Sequence, residues 1–337
     1  MNRQTYYLIA FALTIAAVMP ASADTLDTVK NRGVVICGVN PGLKGFSQSN
    51  SLGVYSGFDV DLCRAVASAI FGDPEAAEFV PISASERFDA LTTNKFDVLT
   101  RNTTWTLERN ASYGEYAGVS YYDGQGFMVR KRSGIRSAME LDNKPICVSR
   151  GTTTELNAVD FFKVSDMRYK PVYFEDGAKA IAGYESEKCI AFTTDRSGLA
   201  AQRADLEQPD AHLVLPEVIS KEPLGPMVRI GDARWANVVR WTLNCMINAE
   251  EMGLTSKNIN RKRSASSPAA RRLTGAEGDA GARLGLSAEW CANVIREVGN
   301  YAENYERNVG PDTDLALERG VNQLWTDGGL MYAPPIR

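Results

Sequence analysis

The segment TRNTTWTLERN, residues 100–110, concentrates side chains that could hold a polar ligand. Short hydroxyl and amide side chains lie between Arg101 and Arg109, around one aromatic residue, Trp105. The planar guanidinium of arginine pairs bidentately with a carboxylate, in a geometry that lysine does not match. The segment has many donors and few acceptors, so it suits a partner that brings its own acceptors.

The first 23 residues have the pattern of an export signal. Arg3 is the only charge before Asp24, residues 8–19 are apolar, and Ala-Ser-Ala at 21–23 is a small-residue cleavage pattern. We therefore predict cleavage after Ala23 and a periplasmic location. Loss of Arg3 takes the basic residues from 37 to 36 against 41 acidic ones, a net charge of −5. This modest acidity argues against nucleic acid as a partner.

Six cysteines occur in the chain, and none of them stands in a CxxC spacing. In an exported chain this favours disulfides over metal ligation, although six cysteines allow fifteen connectivities. We predict nearest-neighbour bridges, because each pair then stays within one local unit. The pairs are Cys37–Cys63, Cys147–Cys189 and Cys245–Cys291. For Cys245 and Cys291, buried free thiols are the alternative.

His212 is the only histidine of the chain. A single histidine argues against a histidine-based triad and against a multi-histidine metal site. We interpret His212 as a surface or loop residue, and we expect neither a metal nor a cofactor.

A βαβ pattern occurs twice along the chain. In its first occurrence, strand-like runs alternate with helix-like stretches at residues 34–37, 58–70, 78–82, 87–93 and 96–100. In its second occurrence, the corresponding segments are 145–148, 151–156, 171–174, 177–183 and 189–193. This alternation predicts an α/β protein with two open sheets, and two sheets in one chain imply a cleft between them.

Two extended segments, residues 118–131 and 216–232, are predicted to carry the chain across that cleft. The first lobe would then span 24–122, the second lobe 123–219, and the return to the first lobe with a C-terminal helical extension 220–337. Amphipathic helices are predicted at 235–251 and 288–300. The basic stretch at 257–272 between them is predicted to be a solvated surface helix or loop, with an interaction patch as the alternative.

An ordered set of segments resembles the type II periplasmic binding proteins of amino-acid ABC importers, a solute-binding protein family. The segments are GVNPGLKGFSQ, GFDVDLCRAVA, FDVLTRNTTWTLERN, GTTTE and TTDRSGLAAQ. ISKEPLGP, GNYAENYERNVGP and the terminal GGLMYAPPIR are similar to one subgroup, the general L-amino-acid-binding proteins. The resemblance covers nearly the whole mature chain. It implies two lobes joined by two hinge crossings, with the ligand held between them.

The resemblance implies a set of residues that hold the carboxylate of an amino acid: Arg109, Thr104, Asn102, Thr153 and Thr152. Thr152 and Thr153 stand in a turn that opens a helix, where the helix N-terminus favours an anion. Asp195 would accept from the ammonium group. The alternatives are a helix-capping role for Asp195 and the two threonines, and a surface ion pair of Arg109 with Glu108.

A second set is implied for the wall that selects the ligand side chain: Asn40, Leu43, Phe46, Arg87, Phe88, Arg101 and Trp105. An amide and an aliphatic side chain stand at Asn40 and Leu43, where related binders often have an acid and an aromatic residue, and this relaxes selection. Arg87 and Arg101 are candidates for a distal carboxylate, with a solvated surface arginine as the alternative for each. Trp105 either lines the pocket or packs within its lobe.

These features predict an extracytoplasmic solute-binding protein that captures free L-amino acids, broadly polar and acidic ones, and delivers them to a membrane ABC permease. Hinged closure of the two lobes is the expected mechanism. We expect a monomer that is not an enzyme. The alternative is an enzyme on the same scaffold, such as a periplasmic prephenate or arogenate dehydratase. Such an enzyme requires an unpaired carboxylate with a raised pKa in the cleft.

Overall fold

Two five-stranded sheets with helices against them make up the architecture. The computed structural model describes residues 24–262 and 267–337, so the predicted export signal and residues 263–266 of the basic stretch lie outside the described residues. None of the helices in the described ranges has the length and apolar character needed to cross a bilayer.

The strands have the following bounds in chain order: β1 Val35–Val39, β2 Gln48–Ser49, β3 Tyr55–Ser56, β4 Ala77–Pro81, β5 Val98–Leu99, β6 Glu115–Tyr116, β7 Tyr121–Asp123, β8 Gln125–Arg130, β9 Pro145–Ser149, β10 Lys170–Phe174, β11 Ala191–Asp195, β12 His212–Val214, β13 Glu222–Leu224 and β14 Met227–Val228. The helices are α1 Thr25–Arg32, α2 Phe58–Phe71, α3 Arg87–Thr92, α4 Leu107–Ser112, α5 Thr153–Val164, α6 Gly177–Glu185, α7 Arg196–Asp205, α8 Ala233–Glu251, α9 Ile259–Lys262, α10 Pro268–Leu273, α11 Ala280–Leu284, α12 Trp290–Glu297 and α13 Tyr301–Asn308.

The first sheet has the strand order β4-β1-β5-β14-β6 and the second has the order β10-β9-β11-β8-β12. In the first sheet, β1 pairs parallel with β4 and β5. In the second sheet, β9 pairs parallel with β10 and β11. Helices pack on both faces of such parallel strands, which is why β1 and β9 are continuous apolar runs rather than alternating ones.

The chain passes between the sheets at a two-stranded ladder of β7 and β13, in which Glu222 lies opposite Asp123. β14 then rejoins the first sheet between β5 and β6. Both strands of the ladder fall within the segments predicted to cross the cleft. Parallel strands of each sheet therefore end close to the place where the chain crosses.

Gly57 is required for the approach of α2 to the first sheet. Its φ of 134° lies in a region that favours glycine, and a Cβ at this position would lie 2.3 Å from the backbone of Phe46. The amide of Asp59 donates to the carbonyl of Phe46 over 3.0 Å, so the start of α2 is fixed against the loop after β1.

The C-terminal extension packs on the part of the protein built around the first sheet, which we call the first half. The part built around the second sheet is the second half. α12 lies against α2 and α8. The helix predicted at 288–300 is α12, which ends at Glu297, because Gly299 adopts a φ of 101° and Asn300 caps the start of a separate helix, α13. Asn322 bonds both backbone groups of Tyr122, receiving from its amide at 2.7 Å and donating to its carbonyl at 2.9 Å. The extension thus holds one of the crossing strands.

Two arginines at the end of the basic stretch are paired within the extension. Arg271 and Arg272 lie 3.1 and 3.8 Å from carboxylate oxygens of Glu277. His212, predicted in a loop or on the surface, opens β12 and is half-buried with its Nδ1 2.7 Å from the hydroxyl of Tyr184.

Three disulfides join Cys37 to Cys63, Cys147 to Cys189 and Cys245 to Cys291. These are the nearest-neighbour pairs, and the described residues include no free cysteine. The third bridge joins α8 to α12, so it attaches the extension covalently to the helix on which it packs.

Replacement of both cysteines of the third bridge, C245S/C291S, is expected to lower the free energy of unfolding by roughly 2–5 kcal/mol. The bridge closes a loop with a sequence separation of 46, and its loss gives that conformational freedom back to the unfolded chain. Urea denaturation of the oxidised wild type and the variant measures the difference. Equal free energies of unfolding would contradict a stabilising role for the bridge.

Candidate ligand-binding site

A cavity of about 350 Å³ lies between the two halves of the chain. Its lining comes from the loops that follow the carboxyl ends of β1, β5, β9 and β11, together with the starts of α5 and α6. In open α/β sheets, ligands bind at the carboxyl ends of parallel strands, because the loops there diverge and leave a crevice.

The segment that follows β5 forms one wall of the cavity. Asp59 accepts from the backbone amide of Asn102 at 2.9 Å and so fixes the start of this segment. Thr106 caps α4 by accepting from the amide of Arg109 at 3.2 Å. Capping begins the helix at Leu107 and directs the side chain of Arg109 back towards the cavity that it lines.

Arg109 is buried and bonds within its own segment rather than with Glu108. Its Nη1 donates to the carbonyl of Thr104 over 3.0 Å, and its guanidinium lies 5.4 Å from the ring centroid of Phe88. Fixed in this way, the guanidinium keeps further donors for a ligand in the cavity.

Arg87 and Arg101 also line the cavity and are buried, so neither is a solvated surface arginine. Nε of Arg101 donates to the carbonyl of Ile82 at 3.1 Å, whereas Nε of Arg87 is buried without a hydrogen-bond partner. Burial lowers the pKa of Arg101 to about 10, with Asp59 opposing the shift. Burial, followed by repulsion from Arg101 and Arg109, lowers the pKa of Arg87 well below its ordinary value.

The opposite wall is formed by the start of α5. Thr152 caps this helix, accepting from the amide of Glu155 at 3.3 Å and donating to the carbonyl of Ser149 at 2.8 Å. Its hydroxyl is therefore used within the turn, as the capping alternative has it. The hydroxyl of Thr153 lies 3.3 Å from that of Thr104, so the two walls meet at these residues.

Asp195 lies at the end of β11, lines the cavity and is 6% exposed. It occupies the N-cap position of α7, but its side chain makes no capping hydrogen bond, so the capping alternative fails here. Burial raises the pKa of Asp195 well above its ordinary value, and Asp123 and Glu222 raise it further, whereas Arg109 and Arg87 lower it. A cation in the cavity would favour the ionised form of this carboxyl.

Glu222 is a polar residue of this region that the sequence patterns did not single out. It is buried on β13 and accepts hydrogen bonds from Thr104, Thr153, Asn157 and Ser220. The hydroxyl protons of Thr104 and Thr153 therefore point to Glu222. Glu222 is one of three acidic residues in the crossing segment 216–232 and three of its four partners lie far away in the sequence, so no local pattern sets it apart.

Other predicted wall residues divide between the cavity and the core. Asn40 and Leu43 line the cavity, and Asn40 donates to the side chain of Asn102 at 3.0 Å. Phe46 is placed differently: it is fully buried in an aromatic cluster with Phe58 and Tyr121, at 6.0 and 5.5 Å between ring centroids. This corrects its predicted place in the wall.

Two further aromatic residues do not line the cavity. Trp105 is 38% exposed and stacks on Tyr116 at 5.1 Å between centroids, so it packs within its own half. Phe88 lies behind the wall, with the guanidinium of Arg87 4.8 Å from its centroid and the ring of Tyr113 stacked at 4.6 Å. Phe88 thus supports the arginines rather than facing the cavity, which corrects its predicted place in the wall, whereas Trp105 follows the packing alternative.

A bilobal scaffold with charged groups of both signs around one cleft defines a solute-binding protein. Residues 35–259 match the bacterial extracellular solute-binding proteins, family 3, and the chain belongs to this family. The predicted type II periplasmic binding protein fold is thereby confirmed.

Individual relatives extend the similarity to almost the whole chain. The general L-amino acid-binding periplasmic protein AapJ of Rhizobium johnstonii is 49% identical over 339 residues, covering 100% of this chain and 99% of the relative. The glutamate/glutamine/aspartate/asparagine-binding protein BztA of Rhodobacter capsulatus is 48% identical, covering 98% of this chain and 97% of the relative. A solved ABC transporter/periplasmic binding protein from Brucella ovis with glutathione bound has a TM-score of 0.92 and 52% identity, covering 94% of this chain and all of that one.

The buried carboxyl of Asp59 predicts a dependence of stability on pH. Burial raises its pKa to about 7, against the hydrogen bond from Asn102 and the charge of Arg101. Between about pH 4 and 7 the folded protein keeps a proton that the unfolded chain has released, so this group's contribution to stability is lost as the pH rises. D59N removes the titration and keeps an acceptor for Asn102.

We therefore expect the stability of D59N relative to the wild type to increase by roughly 2–4 kcal/mol between pH 4.5 and pH 7.5. Urea denaturation of both proteins at the two pH values measures this change. A difference between the proteins that does not vary with pH would show that Asp59 does not titrate in this window.

Proposed function

We propose that the protein binds a free L-amino acid between its lobes and delivers it to a membrane ABC permease. The observation that carries the proposal is the pair formed by Arg109 and Asp195, which are both buried and line the same cavity without an ion pair between them. An amino acid has a carboxylate and an ammonium group on one carbon, and each charge needs a countercharge when it leaves water. The names of the relatives AapJ and BztA support the same ligand class.

Arg109 would pair with the ligand carboxylate, with backbone amides as the other donors. Thr104 lies opposite Leu224 in an isolated antiparallel bridge. The hydrogen bonds of this bridge are made by neighbouring residues: the amide of Trp105 donates to the carbonyl of Pro223, and the amide of Gly225 donates to the carbonyl of Thr103. The amide of Thr104 consequently points away from that strand. Thr152 and Thr153 would contribute the backbone at the start of α5, where the helix N-terminus favours an anion. The amide of Asn102 already donates to Asp59, so Asn102 would contribute its remaining polar groups. Asp195 would accept from the ammonium group.

The domain arrangement belongs to the same proposal. The lobes would comprise residues 24–122 with 220–337, and residues 123–219, joined at β7 and β13. The two sheets contain strands from these ranges. Export with cleavage after Ala23 would give a periplasmic monomer, and the periplasmic relative AapJ supports that location.

Arg87 and Arg101 extend the proposal to the ligand side chain. Two buried guanidiniums beyond Arg109 give the cavity an excess of positive charge that a second carboxylate would neutralise. We therefore propose glutamate and aspartate as preferred ligands among polar amino acids. The γ-glutamyl end of glutathione has the same amino-acid head group, so peptides of this kind are included in the ligand class.

We propose no enzymatic role. A raised pKa at Asp195 is what a dehydratase would require of its acid, but an ammonium group beside Asp195 would lower that pKa and occupy the carboxylate. The relatives reported above are named as binding proteins. Conversion of arogenate by the purified protein would contradict this part of the proposal.

A ligand panel in a thermal-shift assay tests the function. A ligand at about 100 times its Kd should stabilise the folded state by about 2.7 kcal/mol. We expect R109K to lose most of this stabilisation with every L-amino acid, because lysine does not offer the bidentate fork. The panel consists of the twenty amino acids and glutathione.

R240K is the matched control, because Arg240 bonds Glu115 and Asn237 outside the cavity. It should respond to ligands like the wild type. Retained binding by R109K would contradict the carboxylate assignment, and a wild type without a response to any ligand of the panel would contradict the proposed function.

R87M is expected to weaken binding of glutamate and aspartate by roughly tenfold to a hundredfold, the effect of losing a charged hydrogen bond. Glutamine and asparagine have no second carboxylate and should lose much less. Isothermal titration calorimetry with the acid and amide of each pair measures the two effects on one protein. An equal loss for glutamate and glutamine would show that Arg87 does not contact a distal carboxylate.

A further inference from the structure

The carboxylate of Glu222 is the meeting point of a buried network between the two halves of the chain. It is 1% exposed. Its Oε2 accepts from the hydroxyls of Thr104 at 2.5 Å and Thr153 at 3.2 Å. Its Oε1 accepts from Nδ2 of Asn157 at 2.6 Å and from the hydroxyl of Ser220 at 2.7 Å. Four donors satisfy a charge that would otherwise be costly to bury.

The donors come from both sides of the cleft. Thr104 follows β5 of the first sheet, whereas Thr153 and Asn157 belong to α5, which connects β9 and β10 of the second. Glu222 itself stands on β13, in the ladder where the chain crosses. One carboxylate therefore joins the two walls of the cavity at the point about which they would move.

The network acts on the cavity through the two threonines. Each hydroxyl has a single proton, and a carboxylate only accepts, so both protons are committed to Glu222 while it is ionised. Thr104 and Thr153 both line the cavity. Separation of the walls would exchange the hydrogen bonds from Thr153 and Asn157 for bonds to water, which disfavours the open arrangement by the net strength of those charge-assisted bonds.

We propose that Glu222 is a positioning residue that stabilises the closed arrangement of the lobes and holds Thr104 and Thr153 in their closed positions. This inference rests on the proposed function for its ligand readout. Because Glu222 is not among the residues lining the cavity, it acts on the closing equilibrium and not on recognition of a particular side chain. A change in that equilibrium multiplies the Kd of every ligand by the same factor.

The test is E222Q, whose amide has the same shape but one acceptor oxygen in place of two. We expect the Kd of glutamate and of glutamine to increase by the same factor, roughly tenfold or more, with their ratio unchanged. Dissociation should be faster, and a donor–acceptor fluorophore pair with one dye on each lobe should report a smaller closed fraction. Calorimetry, stopped-flow fluorescence and single-molecule energy transfer measure these three quantities.

Two further variants complete the experiment. N157A removes one donor on the second wall without altering the cavity lining, so it should shift Kd in the same direction by a smaller factor even where E222Q folds poorly. E217Q is the control, because Glu217 bonds Ser137 at 2.5 Å within the second half alone. It should leave Kd and the closed fraction unchanged.

An E222Q protein with a lower melting temperature but wild-type Kd and closed fraction would overturn the proposal and reduce Glu222 to a folding role. Different factors for glutamate and glutamine would also overturn it, because they would indicate direct ligand recognition. If the wild type binds none of the ligands, the proposed function fails. The closed fraction of the ligand-free wild type against E222Q still decides the role of Glu222.

Discussion

Buried positive charge in the cleft is the constraint on which the rest of the site depends. Arg87, Arg101 and Arg109 line one cavity, and within the described ranges no ion pair reaches any of the three. Guanidiniums withdrawn from water and placed near each other repel, and this repulsion is a cause of the lowered pKa of Arg87. An anionic ligand would relieve both effects at once, so the charge that is unfavourable without a ligand would favour binding under the proposed function.

The secondary structure around the cleft keeps these charges in place. Thr106 begins α4 and Thr152 begins α5 by capping hydrogen bonds, and the helix starts they create bring Arg109 and Thr153 to the cavity. Asp195 also precedes a helix but forms no such bond. The carboxylate of Asp195 is therefore not used to cap its helix, whereas Thr152 uses its hydroxyl in the turn.

The C-terminal extension holds one side of the cleft in place through a disulfide, hydrogen bonds and an aromatic contact. The Cys245–Cys291 bridge joins α12 to α8, and Asn322 bonds the backbone of Tyr122 in β7. Tyr305 stacks on Tyr121 with ring centroids 5.9 Å apart. One crossing strand is therefore anchored to the first half by side chains from the end of the chain. Glu222, on the other crossing strand, bonds to both halves.

The two sheets and the cavity at their strand ends follow from features that are local in sequence, whereas the placement of Arg109 and Asp195 beside that cavity was implied by the resemblance to a family. β-branched runs and helix starts are each readable within about ten residues, and physical propensity acts over that range. The end of the helix predicted at 288–300 also has a local cause, since Gly299 and Asn300 stand between α12 and α13.

Burial and long-range pairing depended on the tertiary structure. From the sequence, Arg87 and Arg101 could be either pocket residues or solvated arginines, and the tertiary structure places both in the buried lining of the cavity. Phe46 and Trp105 were candidates for the pocket wall, but both pack against aromatic residues of the first half. Phe46 packs against Phe58 and Tyr121, and Trp105 stacks on Tyr116. Glu222 meets Thr104 across 118 positions of sequence. No local pattern encodes such a contact, because it exists only after two crossings have brought separate sheets together around one cavity.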